Sequence, residues 1–266
     1  MKAMVMVKQV PDVTGKVVVN DDGTLNRAKM ESIANPDDLN AVEAALRFKE
    51  DCGCKVVAFS MGPNQAEPML RELLAMGVDE AVLISSREFA GSDTYGTSEI
   101  LAAAIDTYGF EGDDIILCGQ QAIDGDTAQV GPQLAERLQV PQATGAVEIS
   151  REGNRITVKR LLDDGTETIR METPCVVTCT RELNEVRYMT VRGTIECWDK
   201  TIRVMDYDGL KDHPLLDSET IGLTGSPTKI SLSFAPPKKE AGRILQGSAR
   251  EAAEELAGIL TDRHII

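Results

Sequence analysis

The chain has 266 residues, 42% of them hydrophobic, and its 28 Lys and Arg against 43 Asp and Glu leave a formal charge of −15. That length buries a core readily and suits one large α/β domain, or a domain with extensions. A surface so acidic repels phosphate backbones, which argues against nucleic-acid binding, and no apolar run reaches the roughly 18 residues needed to span a bilayer.

The N-terminal run Met1–Val7 is too short and unbroken for a signal peptide. It reads as a buried first strand, Ala3–Val7, and places the protein in the cytosol. Further strand candidates are Lys55–Ser60, Ala81–Ser85 and Asp114–Cys118. Helical patterns lie between them. Asp38–Asp51 sets Leu39, Val42, Ala45, Leu46 and Lys49 along one face, and Gln65–Met76 does the same with Met69, Leu73 and Met76. Thr97–Tyr108 and Val130–Leu138 supply two more. Short strands alternating with helices of about 10–15 residues indicate βαβ units and a parallel sheet. Such sheets carry helices on both faces, and ligands sit outside the carboxyl ends of the strands.

The pattern changes after Pro141. Ala146–Ser150, Arg155–Leu161 and Glu167–Met171 carry more polar residues, with turn signals at Glu152-Gly153-Asn154 and Asp163-Asp164-Gly165. They read as an antiparallel meander. Pro174–Thr180 returns to an apolar strand, and Arg181–Pro237 has poor periodicity with room for short helical pieces. Ser233–Glu240 contains Pro236-Pro237-Lys238-Lys239 and reads as extended. Ser248–Arg263 is a helix with Ser248 as N-cap and Glu251 completing a capping box. The expected architecture is α/β: a doubly wound, mostly parallel sheet with an antiparallel meander, and a C-terminal arm plus helix. A helix at the end of an arm packs either on a partner subunit or back on its own core.

Little here supports hydrolytic or metal catalysis. There are two histidines, His213 and His264, and no His-Glu-x-x-His, Gly-x-Ser-x-Gly or Walker sequence. None of the six cysteines forms a Cys-x-x-Cys pair. Cys175 and Cys179, in one strand, would lie roughly 13 Å apart, too far for a disulfide. All six read as reduced packing residues, and no metal site is expected.

The segment Cys118–Pro132 follows an apolar strand and opens a helix. Gly125 relieves backbone restriction, Gly131 lets another group approach closely, and Pro132 suits a first helical turn. Free amides near Thr127–Gly131 could hold a pyrophosphate without any lysine, although an ordinary strand-to-helix connection would look the same. Three other strand ends face the same mouth: Val7-Lys8-Gln9-Val10-Pro11-Asp12, Ser60-Met61-Gly62-Pro63-Asn64 and Gly91–Ser98. Asn35-Pro36-Asp37-Asp38 opens the first helix, with Asn35 or Asp37 as its cap, and Lys8 is expected to pair with a nearby carboxylate.

Val7–Asp12, Asn35–Asp38, Ser60–Pro63 and Gln121–Gly131, in this order and spacing, resemble the electron-transfer flavoprotein β subunit. Ser226-Pro227-Thr228 and the C-terminal arm match as well, so the likeness covers nearly the whole chain. It implies a heterodimer with an α subunit, in which residues 1–232 hold an adenine nucleotide and residues 233–266 form an arm contacting α. In one branch of the family that nucleotide is AMP, a structural filler. In the electron-bifurcating branch it is FAD, which takes hydride from NADH. Asp93–Ser98 and Ile123–Gly131 are similar to the bifurcating branch. The implied function is an electron-carrier subunit of an NADH-dependent flavin oxidoreductase complex, sending one electron to ferredoxin or flavodoxin and one through the α-subunit FAD to a dehydrogenase.

No side chain is assigned an acid or base role, because the flavin carries the redox chemistry. The candidate cofactor contacts are Met6, Val7 and Lys8; Asn35 and Asp37; Met61 and Gly62; Asp93, Thr94 and Thr97; and Cys118, Gln121 and Ala122. To these are added Asp124, Gly125, Asp126, Thr127, Ala128, Gln129, Val130 and Gly131. The family docks its dehydrogenase through an apolar anchor followed by lysines. Here the anchor position is Val191, then Arg192, and Glu196–Lys200 with Trp198 replaces most of the lysines. That departure leaves the partner open between an acyl-CoA dehydrogenase and an FAD-dependent lactate dehydrogenase.

Overall fold

A computed structural model describes residues 1–12, 31–229 and 242–266. Strands β1 (Lys2–Met6), β2 (Gln9–Pro11) and β3 (Ser32–Ala34) precede helix α1 (Pro36–Cys52). Then come β4 (Lys55–Met61), α2 (Glu67–Met76), β5 (Glu80–Ile84), α3 (Thr94–Tyr108), β6 (Ile115–Gly119) and α4 (Val130–Leu138). The meander is β7 (Gln142–Glu152), β8 (Arg155–Leu162) and β9 (Gly165–Glu172), followed by β10 (Cys175–Cys179). Short pieces α5 (Val191–Glu196), β11 (Ile202–Met205), α6 (Tyr207–Leu210) and α7 (Gly222–Gly225) lead to α8 (Ala249–Asp262). The extended segment expected at Ser233–Glu240 lies outside the described residues.

Nine strands form one sheet in the order β11-β5-β4-β1-β6-β10-β7-β8-β9. The pairings from β11 to β7 are parallel; those of β7 with β8 and β8 with β9 are antiparallel. The parallel strands read as unbroken apolar runs because both faces are covered. In β1, Ala3 and Val5 pack with residues of α1 and α2, while Met4 and Met6 pack with residues of α3 and α4.

Two elements differ from the pattern-based reading. β11 gave no apolar run because it is an edge strand, with Arg203 and Val204 exposed. β7 serves two ladders: Gln142–Ala146 pair in parallel with β10 before the strand turns antiparallel against β8. No helix among the described residues is long and apolar enough to cross a membrane. Among the same residues no group of three or more His, Cys, Asp or Glu could hold a metal, and all six cysteines are unpaired.

The strand order reverses between β1 and β6, and one buried carboxylate ties the two strand ends there. Asp38 Oδ2 accepts from the Lys8 amide at 2.8 Å and Oδ1 from the Gly119 amide at 2.9 Å. Gly119 is required at that point, since a Cβ would lie 2.4 Å from Asp38 Oδ1. Burial pushes the Asp38 carboxyl from an ordinary 3.8 up to about 7, against the pull of the two amides. In that window the native state keeps a proton that the unfolded chain has released, so the contribution of Asp38 to stability declines as pH rises through it.

Asp38→Asn keeps the shape but turns an NH2 toward one of the two amides, and should cost about 1–3 kcal/mol of unfolding free energy. The variant has no proton to lose there, so its deficit should shrink from about pH 5 to about pH 8. Urea titrations at both pH values check this; a deficit that grows with pH would show that the carboxylate form is the stabilising one.

Candidate functional site

The loop from β6 to α4, Gln120–Gln129, closes over the reversal point. Lys8 Nζ reaches Asp124 Oδ1 at 2.7 Å, the carboxylate partner expected for it. Asn35 stands at the N-cap position of α1, but its side chain bonds none of the helix amides. Its Nδ2 donates to the Gln121 carbonyl at 2.8 Å and its Oδ1 accepts from the Ile123 amide at 3.1 Å, so it clamps the loop instead. Asp37 does not cap the helix either; it accepts from Arg181 Nε at 2.7 Å. The amides of Gly125 and Asp126 turn back onto the Ala122 carbonyl, and Gln121 Nε2 donates to Asp126.

The loop's left-handed residues are Asp126 (φ 48°) and Ala128 (φ 52°), whereas Gly125 is not left-handed. Side-chain-bearing residues adopt that region at a cost, and such strain gathers where a backbone is shaped for a ligand. Among the described residues the amides of Thr127, Ala128, Gln129, Val130 and Gly131 have no hydrogen-bond acceptor. They open α4, where the helix dipole adds to their charge, so an anion is favoured there.

Gly131 admits a close approach, but the approaching group is the sheet. A Cβ at Gly131 would sit 2.6 Å from Thr178 Cγ2 and 2.9 Å from Cys118 Sγ. The glycine thus lowers the first turn of α4 onto β6 and β10 and brings its free amides to the strand ends. Cys118 lies buried under that turn, and burial pushes its thiol well up.

The start of α3 joins the same mouth. Thr94 Oγ1 donates to Gln129 Oε1 at 2.9 Å, and Gln133 Nε2 donates to Thr94 Oγ1 at 3.4 Å. α3 begins at Thr94, three residues before its pattern-based start, because Asp93 caps it by accepting from the Gly96 amide. Asp93 also accepts from the Thr228 amide, while its own amide donates to Ser226 Oγ. Burial opposes ionisation of Asp93, but these donors hold its carboxyl below the usual range. Met6 and Val7 are core residues; Met61, Gly62 and Thr97 are half-buried at neighbouring strand and helix ends. Asp38 and Gln133 at the mouth, and farther along the helices the brace of Arg137 onto Glu99 and Ser98, were missed, because only the assembled topology brings their partners together.

A second surface stands apart from the mouth. Arg187 forks onto buried Glu43 and reaches Glu50, and Asn40 and Asn184 exchange hydrogen bonds, fastening the segment after β10 to α1. Beyond this anchor Tyr188 (93% exposed), Val191 (82%), Ile195 and Trp198 (69%) face solvent, as does Arg192. Farther on, α8 has the capping box of Ser248 and Glu251, and none of its residues is buried.

Residues 22–202 match the model of the electron transfer flavoprotein domain. The chain is 54% identical, over all of both chains, to the acryloyl-CoA reductase electron transfer subunit gamma of Anaerotignum propionicum. It is 44% identical, again over all of both chains, to an electron transfer flavoprotein subunit beta of Thermoanaerobacterium thermosaccharolyticum. The same identity and coverage relate it to a caffeyl-CoA reductase-Etf complex subunit of Acetobacterium woodii. A chain matched end to end by such relatives belongs to the electron transfer flavoprotein family, among its β subunits.

Proposed function

We propose that this chain holds FAD at the β1–β6 reversal and works in the cytosol as the NADH-oxidising, electron-bifurcating member of an αβ pair. The run of five open amides from Thr127 to Gly131 carries the reading. It is the arrangement a pyrophosphate needs, on a chain whose acidity otherwise repels phosphates. Lys8 neutralises Asp124, one of the loop's two acids, and the other, Asp126, accepts from Gln121. The second helix start, joined to the first through Thr94 and Gln129, favours a ligand longer than AMP.

When bound, FAD would supply the redox chemistry, accepting two electrons from NADH and allowing their separate one-electron delivery to ferredoxin or flavodoxin and to the α-subunit FAD. The chain's own residues bind and orient. Asn35 and Asp38 hold the loop and strand ends, Gly131 seats the amides, and Thr94, Thr97 and Thr127 would offer hydroxyls to the bound group. The αβ pair purified without added cofactor should yield two FAD by visible spectrum and extraction. One FAD and one AMP per pair would instead make the chain an AMP-holding carrier.

The electron leaving through α goes to an acyl-CoA dehydrogenase in this proposal. Two relatives are named for reductases of CoA thioesters, which supports that partner over a lactate dehydrogenase. The exposed apolar residues of 188–198, rimmed by Arg192, Glu196 and Asp199, have the makeup of a docking surface. Truncating an anchor in such a surface costs ~2 kcal/mol, roughly thirtyfold in affinity. Val191→Ala and Trp198→Ala should therefore slow transfer to the dehydrogenase and leave NADH reduction unchanged in rapid-mixing spectra. Slowed NADH reduction with intact transfer would put this segment beside the flavin.

The arm is proposed to reach the α subunit. α8 is capped and amphipathic yet none of its residues is fully buried, and Leu256 is 47% exposed. Deleting residues 242–266 should weaken α pairing in sedimentation experiments while the sheet keeps its thermal transition; unchanged pairing would place α8 against its own domain.

A further inference from the structure

Trp198 is the chain's single tryptophan, and it sits at the surface. A ring of that size normally gains more from burial. Its indole instead lies over the Arg71 guanidinium, 5.5 Å from the ring centre. The same guanidinium donates to the Cys197 carbonyl at 2.8 Å and the Lys200 carbonyl at 2.5 Å, so it grips the backbone on both sides of Trp198. Its remaining bond goes to Glu67 at 2.9 Å, and its side chain is only 15% exposed. Nη1 takes both carbonyls and Nη2 takes Glu67, so one planar group makes all three contacts while its face lies against the indole.

The surrounding fastenings act in the same sense. Lys200 Nζ donates to the Val78 carbonyl at 2.8 Å. A Cβ at Gly193 would lie 2.1 Å from the Ala75 carbonyl oxygen, so α5 sits hard against the end of α2. Polar groups thus hold the segment down while its large apolar side chains stay in solvent. A surface already ordered before its partner arrives avoids the entropy loss of ordering on contact.

We propose that Arg71 is a positioning residue for partner docking: it fixes Trp198 in the orientation in which the dehydrogenase meets it. The proposal builds on the docking reading above and assigns Arg71 no contact with the flavin.

Because Trp198 is the only tryptophan, its fluorescence in the full-length chain reports the contact directly. Arg71→Met keeps an unbranched apolar stem and removes the guanidinium. It should lower Trp198 anisotropy and raise acrylamide quenching. In the αβ pair, with an acyl-CoA dehydrogenase as acceptor, KM for the dehydrogenase should rise about three- to tenfold with kcat retained. NADH reduction of the flavin should be unchanged. Arg71→Lys keeps the charge but has a shorter reach, no second nitrogen for Glu67 and no planar face for the indole, and should fall between the two; it also guards against a Met variant that misfolds. Unchanged anisotropy in both variants overturns the proposal. So does a fall in anisotropy with unchanged KM, provided Trp198→Ala does raise KM. If Trp198→Ala and Val191→Ala also leave KM unchanged, the docking reading itself falls.

Discussion

A buried carboxyl group stands where the strand order reverses, and the site takes its form from it. Asp38 holds the amides that end β1 and continue from β6, so the start of α1 is pressed onto both strands. That has an electrostatic consequence. Besides the start of α3, which Asp93 caps, two helix starts reach this mouth, and α1 meets its own positive end with Asp37. Asn35, which would ordinarily cap it, is turned across to the neighbouring loop. The other start, that of α4, has no acid in its first turn and keeps its amides free. An incoming anion therefore has one helix to choose.

Much of the architecture could be read from pattern, since apolar runs separated by amphipathic helices admit few arrangements. α4 falls where its periodicity put it, and the meander announced itself through its turns. β11 did not, because an edge strand with an exposed Arg203 carries no apolar signature. The site was legible as segments but less so as roles. Gly125 and Gly131 look alike in sequence, yet only Gly131 lacks room for a side chain, and the left-handed turns fall on Asp126 and Ala128. Asn35 and Asp37 have the makeup of caps, and only the assembled loop shows that their side chains are engaged elsewhere. The role of Asp38 depends on which strand ends lie beside it, which no local pattern states.

On so acidic a chain, arginines serve as fasteners. Arg187 and Arg47 reach buried Glu43, and although burial opposes it they hold that carboxyl below its ordinary range. Arg137 joins Glu99 and Ser98 of α3 to α4, and Arg181 ties Asp37 to the end of β10. Removing one partner from such a pair leaves a charge without compensation, so each is costlier to break than a surface pair. The irregular stretch after β10 gets its definition from these contacts more than from its short helices.

The position of β10 has a consequence for synthesis. It lies between β6 and β7 and pairs in parallel with both, yet it leaves the ribosome after the entire meander. Until residue 179 has emerged, β6 and β7 each present an unpaired strand edge. Unpaired strands of this kind invite pairing with other chains. The nascent protein therefore carries its greatest risk of misassembly late, during the few seconds in which a finished hairpin meander waits for the strand that will join it to the core.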